Sequence, residues 1–336
     1  MYNLKFSILI PTYNGEKIIG ETLRSILSQS FSNYEIIIQD DSSKDNTIKV
    51  IKSFKDSRIK LFKNKKNLGY TKNIEEARKK ATGEIIYLMG QDDILGTDAL
   101  AATYNAFMTS EDIGAVTRPY YWFDKDINIP VRAKEQLNPF KDEIVGITDN
   151  YSRIITVYKT LDQLSGLAYR VKYMDLPFHQ DVFPCHVYPF ASIFKKHPIV
   201  FLKDYIVAVR IRTSQSRKAS LIYGKSPIQS WVEMFNNVFY EEEFEKLKQY
   251  CIENFVAINY VGLVQIRNYA KYGYLLREIY LLIKYRWQNI FDLGFWFYSL
   301  ICLLTPRFLL IKIVDEYKNK VLSRIIKSKI KINHEL

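Results

Sequence analysis

The chain has 336 residues, of which 48% are hydrophobic and 25% are charged, with 13 glycines and 10 prolines. This composition excludes a disordered, collagen-like or low-complexity chain, and the length predicts about two domains at roughly 150 residues each. The formal net charge is +12. Because no RNP, helix-turn-helix or zinc-finger pattern accompanies that charge, we expect no nucleic-acid partner.

Cysteine usage and the N-terminus indicate the compartment. The three cysteines follow no disulfide or metal-ligand spacing, which fits a reducing environment. The apolar run near the N-terminus is too short for a signal peptide. We therefore predict a protein of the cytoplasm.

The first 90 residues alternate between strand-like and helix-like patterns. Short apolar runs predict strands over 5–10, 35–39, 59–63 and 85–89, and apolar residues at helical spacing predict helices over 16–29, 45–54 and 70–81. Strands that alternate with helices of this length indicate βαβ units, so we predict an α/β fold, Rossmann-like, with a mainly parallel sheet flanked by helices. Right-handed crossovers would bring the carboxyl ends of the strands to one edge, where ligands of such sheets bind.

The alternation fades after about residue 110. The segment 118–149 is polar with three prolines, which is typical of a flap over a site or an insertion. Further on, the patterns predict a helix near 151–164, one or two strands over 199–211 and mostly helices from residue 226. We predict a first domain over 1–220, with halves at 1–117 and 118–220, followed by a helical region over 221–336.

The C-terminal region concentrates positive charge. Residues 271–336 carry 12 basic and 5 acidic side chains, or +7 of the total of +12. The uncharged run 293–306 is 14 residues long, below the ~20 that span a bilayer. After it, one helical face collects apolar residues with lysines opposite, typical of a helix lying on an anionic membrane surface; that face consists of Val321, Leu322, Ile325 and Ile326. The alternative is a helical subdomain that packs on the catalytic domain or on a second subunit.

Polar clusters follow three of the predicted strands. They are the segments 11–14, 40–43 and 91–93, and the last two contain adjacent carboxylates. Adjacent carboxylates repel each other unless a cation or a ligand rich in donors compensates them. A divalent cation such as Mg²⁺ or Mn²⁺, shared with a diphosphate, would do so. The alternative is helix capping by these aspartates and serines.

Taken together, these segments resemble the inverting family 2 glycosyltransferases with the GT-A fold. The resemblance is close over about the first 120 residues and loose to about residue 215. It is carried by PTYN at 11–14, DDSS-K-D at 40–45, NLG at 67–69, ATGE at 81–84 and QDD at 91–93. It implies transfer of a sugar, with inversion, from a UDP- or dTDP-linked donor to a hydroxyl of a saccharide acceptor. With the basic C-terminal region, it favours a lipid-linked acceptor in bacterial surface polysaccharide synthesis, at the inner face of the cell membrane.

The resemblance also implies roles for individual residues. The donor nucleotide would contact residues of the first three loops, namely Pro11, Thr12, Tyr13, Glu16, Asp41 at the pyrimidine base, and Lys72. Asp92 and Asp93 match the acidic end of the family's DxD metal motif, whose first aspartate is missing here. Ligation of Mg²⁺ or Mn²⁺ therefore falls to Asp92 or Asp93, with Asp92 also close to the donor.

The resemblance assigns the half at 1–117 to the nucleotide sugar and the half at 118–220 to the acceptor. In the half at 118–220 it implies a catalytic base. Asp181 matches this carboxylate, although Gln180 stands where a glutamate is usual; helix capping is the alternative for Asp181. Arg210 matches the arginine of an R-x-H segment, and Arg212 replaces the histidine. Both arginines are equally compatible with diphosphate binding and with solvated charges at a strand end.

Other classes of protein compete with this interpretation. A nucleotidyltransferase needs a glycine-rich phosphate loop after the first strand, and PTYNGEK at 11–17 is not one. A processive polysaccharide synthase would carry Q-x-x-R-W, which is absent from the sequence. A catalytically degenerate GT-A scaffold that binds a membrane surface or a partner stays open, as does a homo-oligomer.

Overall fold

The computed structural model describes residues 4–211, 220–318 and 326. The chain divides into two compact units after Ile211. We call them the α/β unit and the helical unit. The predicted apolar tail face at 321–326 lies outside the described residues, apart from Ile326.

The α/β unit begins with the predicted alternation of strands and helices. Its first elements are β1 (Phe6–Thr12), α1 (Ile19–Leu27), β2 (Tyr34–Asp40), α2 (Thr47–Ser53), β3 (Ile59–Lys63), α3 (Tyr70–Arg78) and β4 (Ile85–Leu88). The predicted elements of this stretch are confirmed, with ends that shift by up to three residues. Each of these helices buries apolar side chains, among them Leu23, Ile51 and Ile74.

The remaining elements of the α/β unit are shorter. They are β5 (Ile94–Leu95), α4 (Ala99–Met108), β6 (Ala115–Thr117), β7 (Tyr121–Phe123), β8 (Pro130–Ala133), β9 (Glu143–Val145), α5 (Tyr151–Thr160), β10 (Ala168–Arg170), α6 (Val187–Lys196), β11 (Ile199–Phe201) and β12 (Val207–Arg210). The predicted helix near 151–164 ends four residues early.

The main sheet has eight strands in the order β3-β2-β1-β4-β10-β6-β11-β9. Strands β1 to β4 are parallel, whereas β10 runs antiparallel to both of its neighbours, β4 and β6. The central strands are buried on both faces, as their continuous apolar sequences predict. The carboxyl ends of β1, β2 and β4 therefore lie at one edge, which we call the carboxyl edge.

A second, four-stranded sheet has the order β5-β12-β7-β8. Strand β5 follows the QDD segment after one peptide bond, so this sheet begins at the carboxyl edge. The segment 118–149, predicted as a flap or an insertion, supplies β7 and β8 of this sheet and the edge strand β9 of the main sheet. Its aromatic residues fill the second sheet: Tyr120, Tyr121 and Phe123 are buried.

The helical unit is formed by helices in the residues that the structure describes. They are α7 (Pro227–Val238), α8 (Glu245–Cys251), α9 (Val261–Tyr269), α10 (Tyr272–Tyr285), α11 (Leu293–Leu304) and α12 (Arg307–Tyr317), with a π-helical turn at Ile252–Val256 and 3-10 turns at Ser220–Gly224, Glu242–Phe244 and Trp287–Phe291. Helix α9 packs against α10, α11 and α12. Among the described helices, none combines the length and apolar character needed to cross a bilayer.

Candidate active site

Two loops at the carboxyl edge are hydrogen-bonded to each other. The loop after β1 contains Asn14 and the loop after β2 contains Ser42, and both residues have left-handed backbones, with φ of 48° and 64°. The N–H of Asn14 donates to Oγ of Ser43 at 2.9 Å, and Asn14 Oδ1 accepts from the N–H of Lys44 at 2.9 Å. Positive φ at non-glycine residues costs free energy and concentrates at functional sites, so these contacts hold the loops in one specific shape.

Glu16 belongs to the same connection. Its carboxylate accepts two hydrogen bonds from Asn46, from the backbone N–H and from Nδ2, each at 3.0 Å. Its backbone N–H donates to Asp45 at 3.2 Å, and Asp45 also accepts from the N–H of Thr47 at 3.0 Å. Asn46 is the N-cap residue of α2 and its side chain makes no capping hydrogen bond, so Asp45 lies one residue before the cap.

Asp41 is buried, and its carboxylate receives three hydrogen bonds. Oδ1 accepts from the N–H of Leu68 at 2.7 Å and from Nδ2 of Asn64 at 2.8 Å, and Oδ2 accepts from the N–H of Gly69 at 2.9 Å. Gly69 has a φ of 82°, a conformation that glycine adopts without strain. Asp41 thereby positions the NLG segment immediately before α3, and its contact with a pyrimidine base stays a prediction.

The other predicted nucleotide contacts differ in exposure. Thr12 is buried, and its hydroxyl donates to a carbonyl of its own strand at 3.4 Å. Pro11 and Tyr13 are half-buried at the end of β1, and Lys72 is exposed in the first turn of α3. Arg212 lies outside the described residues. These assignments stay predictions.

Gln91 has a structural role that the sequence did not indicate. Its side-chain amide pairs with both backbone groups of Tyr13: Oε1 accepts from the N–H at 3.0 Å, and Nε2 donates to the carbonyl at 3.1 Å. Gly15 makes this approach feasible, because a Cβ there would lie 2.5 Å from Gln91 Oε1. The hydroxyl of Thr22 on α1 donates to the carbonyls of Gln91 and Asp93, each at 2.9 Å. The QDD segment is thus fixed to both the first loop and the first helix.

The two carboxylates of the QDD segment differ in environment. Asp93 is buried; its Oδ2 accepts from Oγ of Ser165 at 2.5 Å and its Oδ1 from the N–H of Arg210 at 3.0 Å. Burial and the neighbouring Asp92 raise the pKa of Asp93 well above its ordinary value. Asp92 is partly exposed at the same turn. Because α4 begins only at Ala99, neither aspartate caps a helix.

A buried arginine holds the loop that contacts Asp93. The hydroxyl of Ser165 also accepts from the N–H of Gly90 at 2.8 Å, and its carbonyl accepts from Nε of Arg118 at 2.6 Å. Arg118 has no exposed surface, and it also donates to the carbonyls of Thr160 at 3.2 Å and Gln163 at 2.9 Å. This role could not be predicted from local patterns, because Arg118 and its acceptors are more than 40 residues apart.

Arg210 braces three parts of the site. Its guanidinium pairs with the carboxylate of Glu21 on α1, and its Nε donates to the carbonyl of Asp92 at 3.2 Å. The guanidinium carbon lies 4.7 Å from the ring centre of Phe123, over the ring. Arg210 is therefore engaged at the site as a structural cation, and its contact with a diphosphate stays a prediction.

Asp181 lies in the irregular segment 174–186 between β10 and α6, and it is buried. Its Oδ1 accepts from the N–H of Phe183 at 3.2 Å, and its own N–H donates to Nδ1 of His179 at 3.1 Å. Helix α6 begins at Val187, six residues further on, so Asp181 does not cap it.

His186 connects the Asp181 segment to the loop that supports the QDD segment. Its Nε2 lies 2.8 Å from the carbonyl of Leu161, four residues before Ser165, and its carbonyl accepts from the hydroxyl of Tyr169 at 3.0 Å. Burial lowers the pKa of His186 to about 4, so the ring is neutral near pH 7 and donates from Nε2. The loops that bear Asp181 and Asp93 are therefore both anchored on the chain between α5 and β10.

A mixed cluster of charged and aromatic side chains surrounds Asp162, which lies on that same loop. Asp162 accepts from the hydroxyl of Tyr120 and pairs with Lys134 Nζ at 2.8 Å. Lys134 and Arg132 both lie over the ring of Trp122, at 5.7 and 4.6 Å from its centre. Burial lowers the pKa of Lys134, although Asp162 opposes that change. Lys134 also lines a cavity of about 200 Å³, together with Ala133, Glu135, Thr156, Lys159 and Thr160.

The carboxylates also bear on metal binding. In the part of the chain that the structure describes, no three His, Cys, Asp or Glu side chains form a group that could hold a metal ion by themselves. Magnesium in nucleotide sites takes one or two carboxylates and completes its shell with substrate phosphates and water. The partly exposed Asp92 fits such a shared cation, whereas Asp93 is enclosed by its own hydrogen bonds.

The parallel sheet with polar loops at its carboxyl edge and a second sheet beside them defines an α/β protein of the GT-A class. Solved structures share this fold. TarS of Staphylococcus aureus, residues 1–349 in complex with UDP, superposes with a TM-score of 0.61 at 18% identity over 97% of this chain and 92% of that one. A mannosyltransferase of Pyrobaculum calidifontis, in complex with GDP-Man and Mn²⁺, gives 0.56 at 16% identity over 90% and 87%.

Sequence comparison points to one family. Residues 7–163, a little under half of the chain, match the model of glycosyl transferase family 2. An Escherichia coli UDP-Glc:alpha-D-GlcNAc-diphosphoundecaprenol beta-1,3-glucosyltransferase is 40% identical over 26% of this chain and 35% of its own length. A Campylobacter jejuni GalNAc(5)-diNAcBac-PP-undecaprenol beta-1,3-glucosyltransferase is 34% identical over 29% of this chain and 32% of its own length. The chain thus spans about a third of the length of these two relatives.

Proposed function

We propose that the protein is an inverting glycosyltransferase that moves a sugar from a nucleoside-diphosphate sugar to a hydroxyl of a lipid-linked saccharide. The observation that carries this proposal is that two carboxylate-bearing segments are hydrogen-bonded to the same loop. The turn with Asp92 and Asp93 and the segment with Asp181 are both anchored on the loop between α5 and β10. One carboxylate can thus act on the leaving group while another acts on the acceptor.

The donor is a UDP- or dTDP-sugar in this proposal. Its nucleotide binds at the loops after β1 and β2, which are held in one shape by the contacts of Asn14 and Glu16. The relative named for UDP-Glc and the TarS complex with UDP support a uridine nucleotide. Asp92 would hold a divalent cation, which when bound neutralises charge on the diphosphate.

Asp181 is the proposed general base. It takes the proton of the acceptor hydroxyl as that oxygen bonds to the anomeric carbon, and the bond from that carbon to the diphosphate oxygen breaks on the opposite face. The nucleoside diphosphate leaves with the electron pair. Attack opposite to the leaving group inverts the anomeric configuration.

The acceptor side is assigned to the cluster of Asp162, Lys134 and Trp122. The chain leads from strand β6 into this cluster. Strand β6 lies two strands from β4, so the two strands are about 10 Å apart at ~4.8 Å per strand. Charged groups that can both donate and accept, next to an aromatic ring, suit the hydroxyls and faces of a sugar. A lipid-linked acceptor places the reaction at the inner face of the cell membrane.

The experiment is the release of nucleoside diphosphate from a panel of UDP-, dTDP- and GDP-sugars, with and without Mn²⁺ or Mg²⁺. Asp181→Asn is compared with Asp175→Asn, a matched control in the same segment that pairs with Lys196 and Ser192 on α6. We expect turnover to fall about a thousandfold in Asp181→Asn and to stay within twofold in the control, with donor binding retained in both. Full turnover in Asp181→Asn would assign the base elsewhere, and failure of every nucleotide to bind would contradict the transferase proposal itself.

A further inference from the structure

Helix α11 is apolar on two faces. Its inner face packs within the helical unit through the buried residues Phe295, Ser299 and Cys302. Its outer face is equally apolar and open: the exposed fractions are 86% for Leu293, 40% for Trp296, 60% for Phe297, 45% for Leu300 and 77% for Leu304. These positions follow the spacing i, i+3, i+4, i+7 and i+11, which places them on one side of a helix. A helix at a water surface has polar residues on that side, and α11 has none.

The apolar surface continues on both sides of α11 in the sequence. The preceding 3-10 turn exposes 62% of Trp287 and 76% of Phe291, and α12 exposes 77% of Phe308 and 49% of Ile313. Clustered exposure of this kind is uncommon in soluble monomers and marks an interaction surface. We call the outer residues of α11, together with Trp287, Phe291 and Phe308, the α11 face.

The charges beside the α11 face are mostly positive. Between residues 279 and 314 the basic residues are Lys284, Arg286, Arg307 and Lys312, and the acidic residue is Asp292; two further acidic residues, Asp315 and Glu316, follow at the end of α12. Asp292 is engaged at the start of α11, where its Oδ1 accepts from the N–H groups of Gly294 at 2.8 Å and Phe295 at 3.2 Å. The flanks thus attract anionic groups. In a symmetric dimer, the same surface would meet a copy of itself and bring like charges together.

The composition of the face fits the boundary of a bilayer. Trp and Tyr concentrate where lipid headgroups meet the acyl chains, and Trp, Phe and Leu form the apolar faces of helices that lie there. The indole N–H of Trp296 already donates to the carbonyl of Ile290 at 2.7 Å, so its ring can enter an apolar layer without losing a hydrogen bond to water. Helix α11 has 12 residues, about 18 Å at 1.5 Å each, too short for a hydrocarbon core of about 30 Å. It can therefore lie in the interface but not cross it.

We propose that the α11 face is a docking surface for an anionic bilayer and that α11 lies in the plane of the headgroups. This inference deepens the proposed function, because it supplies the contact through which the enzyme reaches a lipid-linked acceptor. It is carried by described residues of the helical unit and does not depend on the tail beyond residue 318.

The test is flotation of the full chain with vesicles of phosphatidylcholine alone and with 30% phosphatidylglycerol. The face variant is Leu293→Glu with Phe297→Glu. Its control is Phe140→Glu, since Phe140 is 86% exposed on the α/β unit, like Leu293. We expect the face variant to lower partitioning into anionic vesicles at least thirtyfold and the control to lower it less than twofold. Salt at 1 M should weaken wild-type binding, because the flanking charges are screened.

Three outcomes would overturn the inference. They are a wild-type chain that does not float with anionic vesicles, a face variant that floats as well as the control, and light scattering that shows a wild-type dimer made monomeric by the variant with no change in vesicle binding. Donor hydrolysis in solution separates this inference from the proposed function. We expect it to be equal in the face variant and wild type, whereas a chain that binds vesicles but releases no nucleotide would contradict the transferase and leave the docking face standing.

Discussion

Two buried carboxylates at opposite edges of the same sheet have opposite surroundings. Glu35, at the amino edge, accepts from Ser7 Oγ at 2.6 Å, from the N–H of Thr82 at 2.8 Å and from Lys60 Nζ at 2.5 Å. Burial alone would raise its pKa, but these donors lower the pKa to about 2. Asp93, at the carboxyl edge, has hydrogen bonds from one hydroxyl and one backbone N–H, and its pKa is raised.

The difference separates stability from function. At the amino edge, the Glu35 carboxylate is paired with Lys5 and Lys60, so it stabilises the fold without a ligand. At the carboxyl edge, the pair Asp92 and Asp93 is only partly compensated, an arrangement that is costly without a ligand and typical of functional sites. Substitutions at the carboxyl edge should therefore lower turnover, and substitutions at the amino edge should lower the free energy of unfolding.

Of the substitutions that compare the two edges, the one at the carboxyl edge is expected to have the larger effect. Asp92→Asn removes the partly exposed charge next to the leaving diphosphate and should lower turnover about a hundredfold, with little change in the free energy of unfolding. Steady-state release of nucleoside diphosphate measures it. Asp98→Asn, at an exposed position before α4, is the control and should change turnover less than twofold. Equal losses of turnover in both variants would contradict the role of the Asp92 charge next to the leaving diphosphate.

At the amino edge, Glu35→Gln should lower the free energy of unfolding and leave turnover unchanged. A shift from 4.5 to about 2 corresponds to about 3 kcal/mol at about 1.4 kcal/mol per unit. Urea unfolding of wild type and variant at pH 7 measures the difference. A Glu35→Gln variant as stable as wild type but with lower turnover would contradict the assignment of Glu35 to stability rather than function.

The same group predicts an acid transition. The folded pKa of Glu35 is below the unfolded one, so its contribution to the free energy of unfolding is complete above pH 4.5 and is lost as the pH falls towards 2.

His186 affects stability at higher pH than Glu35 does. Burial lowers its pKa from 6.5 to about 4, so the unfolded chain binds the proton first as the pH falls. Stability should therefore fall between pH 6.5 and 4 in wild type, and this slope should be shallower in His186→Asn, as measured by urea unfolding at each pH.

The smallest effect is expected on the acceptor side. Asp162→Asn keeps the shape of the cluster but removes the charge paired with Lys134, and it should raise the KM for the acceptor severalfold while the KM for the donor stays constant. Glu111→Gln, at an exposed position outside the site, serves as control. A change in the donor KM alone would place the cluster on the nucleotide side.

Several features could be predicted from the sequence because they depend on local patterns. The alternation of apolar runs gave the strands and helices up to β4, and the polar residues at their carboxyl ends gave the candidate site. The ATGE segment shows the limit of such patterns. It matched the family, yet its threonine binds Glu35, and a Cβ at Gly83 would lie 2.5 Å from the carbonyl of Lys5. Its role is structural, and the sequence alone did not separate it from the functional segments.

What the sequence determined is therefore the order of the elements, the edge at which ligands bind and the residue types available there. The tertiary structure decided how those residues are used: Asp93 inward and Asp92 outward, Gln91 as a fastener for the first loop, Arg118 beneath Ser165, and an apolar outer face on α11. The physical reason is distance along the chain. Periodicity reports which side of its own element a residue occupies, whereas hydrogen bonds across 40 to 120 residues and the exposure of a packed helix exist only once the elements have come together.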